Sequence, residues 1–302
     1  MAIDKEQIAA RLKLLQLSIC EAIELEDGTG KFQLDQWQRP GGGGGDTRVI
    51  ENGSVIEKGG VNFSAVYGEL PPNISSALGV ESNEFFATGV SIVMHPSNPH
   101  VPIIHMNVRY FEMDEDTWWF GGGIDLTPHY VDESQTEWFH NQLVGACVKH
   151  DPSYYNRFSE WANNYFYIKH RNESRGVSGI FFDRLNTKSE GKSKDELFQF
   201  LLEVGETFAP TYSKLMNQNK GKSFSEIQKA WQMHRRSRYV EFNLVYDKGT
   251  KFGLDTNGRI DSILMSLPPD TGWKYTQYWP KDGEEMKTEE ILRTRYVPKN
   301  SK

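Results

Sequence analysis

Residues 101–130, VPIIHMNVRYFEMDEDTWWFGGGIDLTPHY, read as a β-hairpin, and the fold is worked out from it. In the first arm, 103–113, strict alternation puts His105, Asn107, Arg109 and Phe111 on one face and Met106, Val108 and Tyr110 on the other. An acidic turn, 114–116, reverses the chain. The return arm, 117–120, is aromatic and β-prone and runs into Gly121, Gly122, Gly123 and then Asp125. At about 3.3 Å per residue, His105 and Arg109 lie roughly 13 Å apart with Asn107 between them. A hydrogen-bond donor, an amide and a cation so spaced, beside a carboxylate that follows three glycines open to close approach, suit an extended ligand with N–H and acid groups. The same pattern also describes the wet face of an ordinary antiparallel sheet.

Working outward, Asp4 caps a first helix with Ile8, Leu12, Leu15 and Ile19 at helical spacing, within an N-terminal segment 1–30. Gly41 to Gly45 form a flexible or close-approach run without the Lys-Ser/Thr ending of a phosphate loop. Short strands are expected over 47–50, 54–57 and 62–67, with turns at Asn52-Gly53 and Gly59-Gly60. The segment 87–95 alternates so that Ser91, Val93 and His95 share a face before Pro96. Helices are expected from Asp132 to about His150, from Ser153 to about His170 with a stripe of Tyr154, Phe158, Trp161 and Tyr165, from Ser193 with a bend near Pro210, and from Ser223 to Arg236. Between the second and third of these, 180–183 reads as a short buried strand. Strands are expected again over 239–246, 251–254 and 259–267, and a short helix over 288–294. Hairpins early and late with helices between them point to an α+β single domain, one large antiparallel sheet covered by helices.

The 302 residues carry a net charge of −7 with a pI near 5.7, which argues against a nucleic-acid surface. The N-terminus, MAIDKEQIAARLKLL, carries Asp4 and Glu6 and has no apolar core, so no targeting peptide is expected. No apolar run is long enough to span a membrane. Two cysteines, Cys20 and Cys147, form no disulfide framework or metal motif and fit a reducing cytoplasm.

Arg235, Arg236 and Arg238 read as a cluster complementing a helix end. Arg109 lies inside a strand between aromatic neighbours, where an anionic partner is expected. Arg259, after Asn257-Gly258, is placed to hold a carboxylate at a pocket rim. His95, His105, His140 and His170 make a conceivable metal set, although their separations match no local ligand motif. No nucleophile elbow, dinucleotide fingerprint or phosphate loop occurs.

Several of these stretches are distinctive: HMNVRYFE (105–112), WWFGGGIDLTP (118–128), HRNESRGVSGIFFD (170–183), RRSRYVEFNLVYDKGTKFGL (235–254) and ILMSLPP (263–269). Together and in this order the chain closely resembles the oxygen-dependent coproporphyrinogen III oxidases of haem biosynthesis. The resemblance implies a homodimer, with 239–274 matching a region associated with dimer formation, and a flat antiparallel sheet flanked by helices on both faces with an active-site cleft between sheet and helices. It implies oxidative decarboxylation of the ring A and ring B propionates of coproporphyrinogen III to vinyl groups, giving protoporphyrinogen IX, with O2 as co-substrate and no organic cofactor. By position, His105 matches a proton donor and Asp125 an essential carboxylate. Asn107, Val108 and Arg109 match a substrate-binding segment, Ser91 a substrate contact, and Asn257, Gly258 and Arg259 a second contact. Some members are described as holding a divalent metal at positions matching His95, His105, His140 and His170. On this footing Asp125 is expected to accept pyrrole N–H groups, with Arg109 holding the reacting propionate and His105 moving protons.

Overall fold

Alternating apolar residues build an antiparallel seven-stranded sheet of β1 (Gln33–Gln38), β2 (Gly43–Glu51), β3 (Ile56–Glu69), β4 (Glu84–Pro96), β5 (Ile103–Glu112), β6 (Trp118–Thr127) and β9 (Gly179–Leu185), in that spatial order. The structure is a computed structural model that describes residues 2–69, 84–255, 258–275 and 277–294. Two-residue strands β7 (Tyr167–Ile168) and β8 (Glu173–Ser174) pair separately. The chain meanders from β1 to β6 and returns as β9 to complete the edge beside β6.

Because side chains alternate across a strand, the sheet has two unlike faces. Val90, Ile92, Met94, Ile104, Met106, Val108, Tyr110 and Ile124 are buried on one face, in the main core with helices α1 (Lys5–Asp27), α2 (Glu133–Val148) and α5 (Lys194–Asn219). Asp4 and Gln7 close a capping box on α1, and Ser193 and Glu196 do the same for α5, which continues past Pro210. Helix α3 (Tyr154–Tyr165) wraps the β9 edge, with Phe158 against Phe182 on the core side and Tyr165 stacked on Phe181 at 4.2 Å on the other. Over the opposite face lie α6 (Glu226–Val245), whose Tyr239 joins Val93 and Ile103, and the segment around α8 (Ile260–Leu264), where Ser262 bonds Thr47 and Asn62. The α+β reading with helices on both faces is therefore correct.

Three expectations fail. Residues 239–267, expected as strands, contain the end of α6, then α7 (Lys248–Asp255) and α8, and no strand among the described residues. The β-prone run YVEFNLVY stays helical because Trp231, Arg235, Tyr239 and Phe242 recur at helical spacing and are buried on one side of α6, so tertiary packing overrides local preference. That helix is capped by Ser225 with Gln228 rather than by Ser223, and it runs well past Arg236. Gly59 and Gly60 form no turn but lie within β3, where a Cβ on Gly60 would stand 2.1 Å from the Met265 sulfur. The Asn52-Gly53 turn does form, with Asn52 at φ 56° and its N–H donating to Glu57 O at 3.0 Å. The glycine run is partly strand, Gly43 to Gly45 belonging to β2. The third failure concerns α3, which stops at Tyr165, short of His170, with Trp161 of its expected stripe 41% exposed. The short C-terminal helix occurs as α9 (Glu284–Arg293), and the remaining helix, α4 (Thr187–Glu190), is a single turn.

Asp27, at the end of α1, ties the helix to the β2–β3 hairpin by accepting N–H bonds from Gly30, Ser54, Val55 and Ile56. Burial alone would raise its pKa. The backbone donors outweigh burial and bring it from 3.8 to about 2. A carboxyl depressed on folding adds stability above its unfolded pKa and loses it as pH falls through the folded value. Asp27→Ala is expected to cost about 2–4 kcal/mol in urea unfolding at pH 7. Between about pH 4 and pH 2 the wild-type stability should fall towards that of the variant, and parallel curves would remove Asp27 from this role.

Candidate active site

On the face opposite the main core, strand register sets the candidate side chains beside one another. His105 pairs across to Val93 and Asp125, Asn107 to Ser91 and Gly123, and Arg109 to Gly89 and Gly121. His105, Asn107, Arg109 and Ser91 are half-buried, so each side chain still meets solvent. Val108 is placed on the other face, fully buried in the core. The alternation that exposes Asn107 and Arg109 turns the Val108 side chain away, which leaves its backbone as the part of the residue nearest this face.

Asp125 is enclosed. It is 1% exposed, with Oδ1 bonded to His105 Nδ1 at 2.8 Å and Oδ2 accepting from Arg175 Nη2 at 2.6 Å. Arg175 is equally buried, donates to Asn243 Oδ1 at 2.9 Å, and stands 4.4–4.7 Å from the ring centres of Phe166, Tyr239 and Phe242. Burial alone would raise the Asp125 pKa, but the Arg175 guanidinium, helped by His105, holds it below the usual carboxylate range. An ionised carboxylate only accepts hydrogen bonds, so His105 carries its proton on Nδ1 and keeps Nε2 out of that bond. Both Asp125 oxygens are thus engaged by side chains of the protein itself.

Arg109 finds its anion in Asp183 on β9, donating from Nη2 at 2.9 Å, and Nη1 donates to Asn107 Oδ1 at 2.9 Å. Gly121 makes this possible, since a Cβ there would lie 2.5 Å from Asp183 Oδ1 and 2.9 Å from Arg109 Nε. The close neighbours of the triple glycine are therefore the protein's own side chains and backbone. Sequence reasoning missed the roles of Arg175 and Asp183. Each is an isolated charge far along the chain from its partner, and the only signal was the motif HRNESRGVSGIFFD that contains both.

Other expected residues lie apart. Asn257 falls outside the described residues. Gly258 N–H donates to Gly253 O, while Arg259 bonds Asp35 and Ser262 at the β1 end of the same face. Arg235, Arg236 and Arg238 sit inside α6 rather than at its end, paired with Glu173 and Glu57. The four histidines do not converge. His95 is buried, donates from Nε2 to Ser266 O, and is surrounded by Arg236, Lys58 and Arg175, whose charge opposes a cation as it opposes protonation. His140 bonds Val177 O and Tyr155, and His170 bonds Tyr246 and Glu241 on the surface. Among the described residues no three His, Cys, Asp or Glu side chains come together to hold a metal, so the residues present do not fit the expected set.

With this geometry in place, comparison with known proteins gives a consistent result. The family described as coproporphyrinogen III oxidase matches residues 7–297. The chain is 46% identical to the oxygen-dependent coproporphyrinogen-III oxidase of Drosophila melanogaster, over 96% of this chain and 78% of that one. It is 48% identical to the chloroplastic coproporphyrinogen-III oxidase 1 of Arabidopsis thaliana, over 91% and 74%, and 47% identical to the chloroplastic enzyme of Glycine max, over 89% and 73%.

Removing Arg175 would leave Asp125 buried and uncompensated. Arg175→Met is expected to cost about 3–5 kcal/mol in chemical denaturation. Adding Asp125→Asn should recover part of that loss, whereas additive effects of the two substitutions would show that the pair is not coupled.

Proposed function

The chain belongs to the coproporphyrinogen III oxidase family, and from that premise we propose that the cleft over β5 carries out the family's reaction with His105, Asp125, Arg175 and Arg109. The reaction is the oxidative decarboxylation of two propionates of coproporphyrinogen III, on rings A and B, to vinyl groups, giving protoporphyrinogen IX in haem biosynthesis. The observation that carries this reading is the buried Arg175–Asp125 pair, bonded to the half-buried His105 on the same strand face as Arg109.

Each propionate loses CO2 and one hydride equivalent, and O2 takes up the two electrons. If oxygen leaves as hydrogen peroxide, one proton is consumed per vinyl group formed. His105 Nε2 is the group placed to move protons at the macrocycle, while Asp125 fixes its tautomer and supports its charge when it is protonated. Arg109, oriented by Asn107 and Asp183, holds a substrate carboxylate by charge-assisted hydrogen bonds. Ser91 completes the floor in register with Asn107. A macrocycle seated there excludes water from the reacting centre. We assign no organic cofactor and route no step through a metal.

A second copy of this chain is the partner we infer. Leu244, Val245, Phe252, Ile260 and Trp273 expose apolar surface along 239–274, which supports a homodimer through that region. No helix among the described residues is long and apolar enough to cross a membrane. Cys20 and Cys147 are free and buried, which supports a reducing compartment, and the cytoplasm is our assignment.

The test is CO2 release under air from substrate prepared anaerobically. The wild-type protein should release CO2 and form the divinyl product, and His105→Gln should lose nearly all turnover while remaining folded by circular dichroism. A tetrapyrrole carrier would bind the substrate and release none. Arg109 is partly exposed, so Arg109→Ala should lower kcat/KM by about 10- to 100-fold, a loss of roughly 1–3 kcal/mol. An unchanged kcat/KM would remove it from the site.

A further inference from the structure

Behind the Asp125–Arg175 pair, between α6 and the ends of β4 and β6, six side chains hold hydrogen-bonding atoms that meet no protein partner among the described residues. The unmet acceptors are His95 Nδ1, His129 Nε2 and Gln232 Oε1. The unmet donors are Arg235 Nε and Nη2 and Arg236 Nε, and the Thr127 hydroxyl serves in either role. All six residues are at most 1% exposed.

They are neighbours. Gln232 Nε2 and Arg236 Nη2 both donate to the Pro96 carbonyl at 2.9 Å, next along the chain from His95. Trp231 donates to the His129 carbonyl, and the His95 ring meets Tyr239 of the same helix at 5.1 Å. Burial pushes the His95 pKa down to about 3 and that of His129 well below its usual value, so both rings are neutral. His95 donates from Nε2 to Ser266 O and His129 from Nδ1 to Pro99 O, so the remaining ring nitrogens are bare lone pairs. Each arginine has a carboxylate, Arg235 sharing Glu173 with Arg238 and Arg236 sharing Glu57 with Lys229. The seam therefore offers donors and acceptors together: its guanidinium groups disfavour a cation and its bare lone pairs an anion, which selects a small neutral molecule that both gives and takes hydrogen bonds. Thr127 stands two residues beyond Asp125 on one face of β6, and Gly176 lies so close that a Cβ there would be 2.7 Å from Thr127 Oγ1. Arg175, whose Nε also has no protein partner among the described residues, thus borders the same seam.

We propose that this seam is a built site for ordered water, and that the water bridges its imidazole, amide and guanidinium groups, reaches Arg175 through Thr127, and so positions the Asp125–His105 pair. The positioning role rests on the proposed function, whereas the water site does not.

A high-resolution crystal structure of the unaltered protein tests the site without substrate. Water density within hydrogen-bond distance of His95 Nδ1 and His129 Nε2 supports it. Arg235, Arg236 or Gln232 found in direct contact with those nitrogens, with a dry seam, overturns it. Thr127 is the positioning residue to vary, because valine keeps its shape and removes the hydroxyl. Thr127→Val is expected to lower kcat about fivefold with KM unchanged and to shift the pH–rate profile, and Thr127→Ser should restore both. An unchanged kcat and profile overturns the positioning role. Water in the seam of a protein that releases no CO2 would instead count against the proposed reaction alone.

Discussion

Two opposite charges, Asp125 and Arg175, lie almost fully out of water at 2.6 Å, and the candidate site depends on their being there together. Taking either into the interior alone would be strongly unfavourable, so each requires the other and both require the groups that complete them. Asn243 and three aromatic rings complete Arg175. His105 completes Asp125. Solvent reaches this assembly mainly through the partly open His105 ring, and that gives one imidazole nitrogen a charged support that an isolated surface histidine lacks.

The sheet makes such an arrangement possible by separating its two faces. One carries the apolar core shared with α1, α2 and α5, which fixes strand register. Register in turn sets His105 opposite Asp125 and Arg109 opposite Gly121, with no freedom to slide by one residue without burying the polar face. Glycine at 121 then admits the Arg109–Asp183 pair, which holds a guanidinium partly open to solvent. The polar face is left for α6 and the segment around α8, and α6 lies over its inner end.

Much of this was legible in the chain. Alternation over β5 identified the face shared by His105, Asn107 and Arg109, and the hairpin made Asp125 its neighbour. Periodicity and capping boxes located α1 and α5. The same rules misjudged 239–267, because Tyr239, Phe242 and Val245 are as suited to a strand as to a helix and only burial on one side decides between them. Histidines at 95, 105, 140 and 170 looked alike in the sequence, yet four different surroundings give them four different partners.

What the sequence by itself determined, then, is whatever depends on neighbours along the chain: the alternating strands, the capped helices, the face on which His105 and Arg109 stand, and the family to which the motifs belong. Only the tertiary structure decided that Arg175 closes on Asp125 from 50 positions away, that Asp183 takes Arg109, and that Val108 faces the core. Pairing of distant charges leaves no periodic trace, because its energy comes from desolvation and distance in the folded chain rather than from local backbone preference.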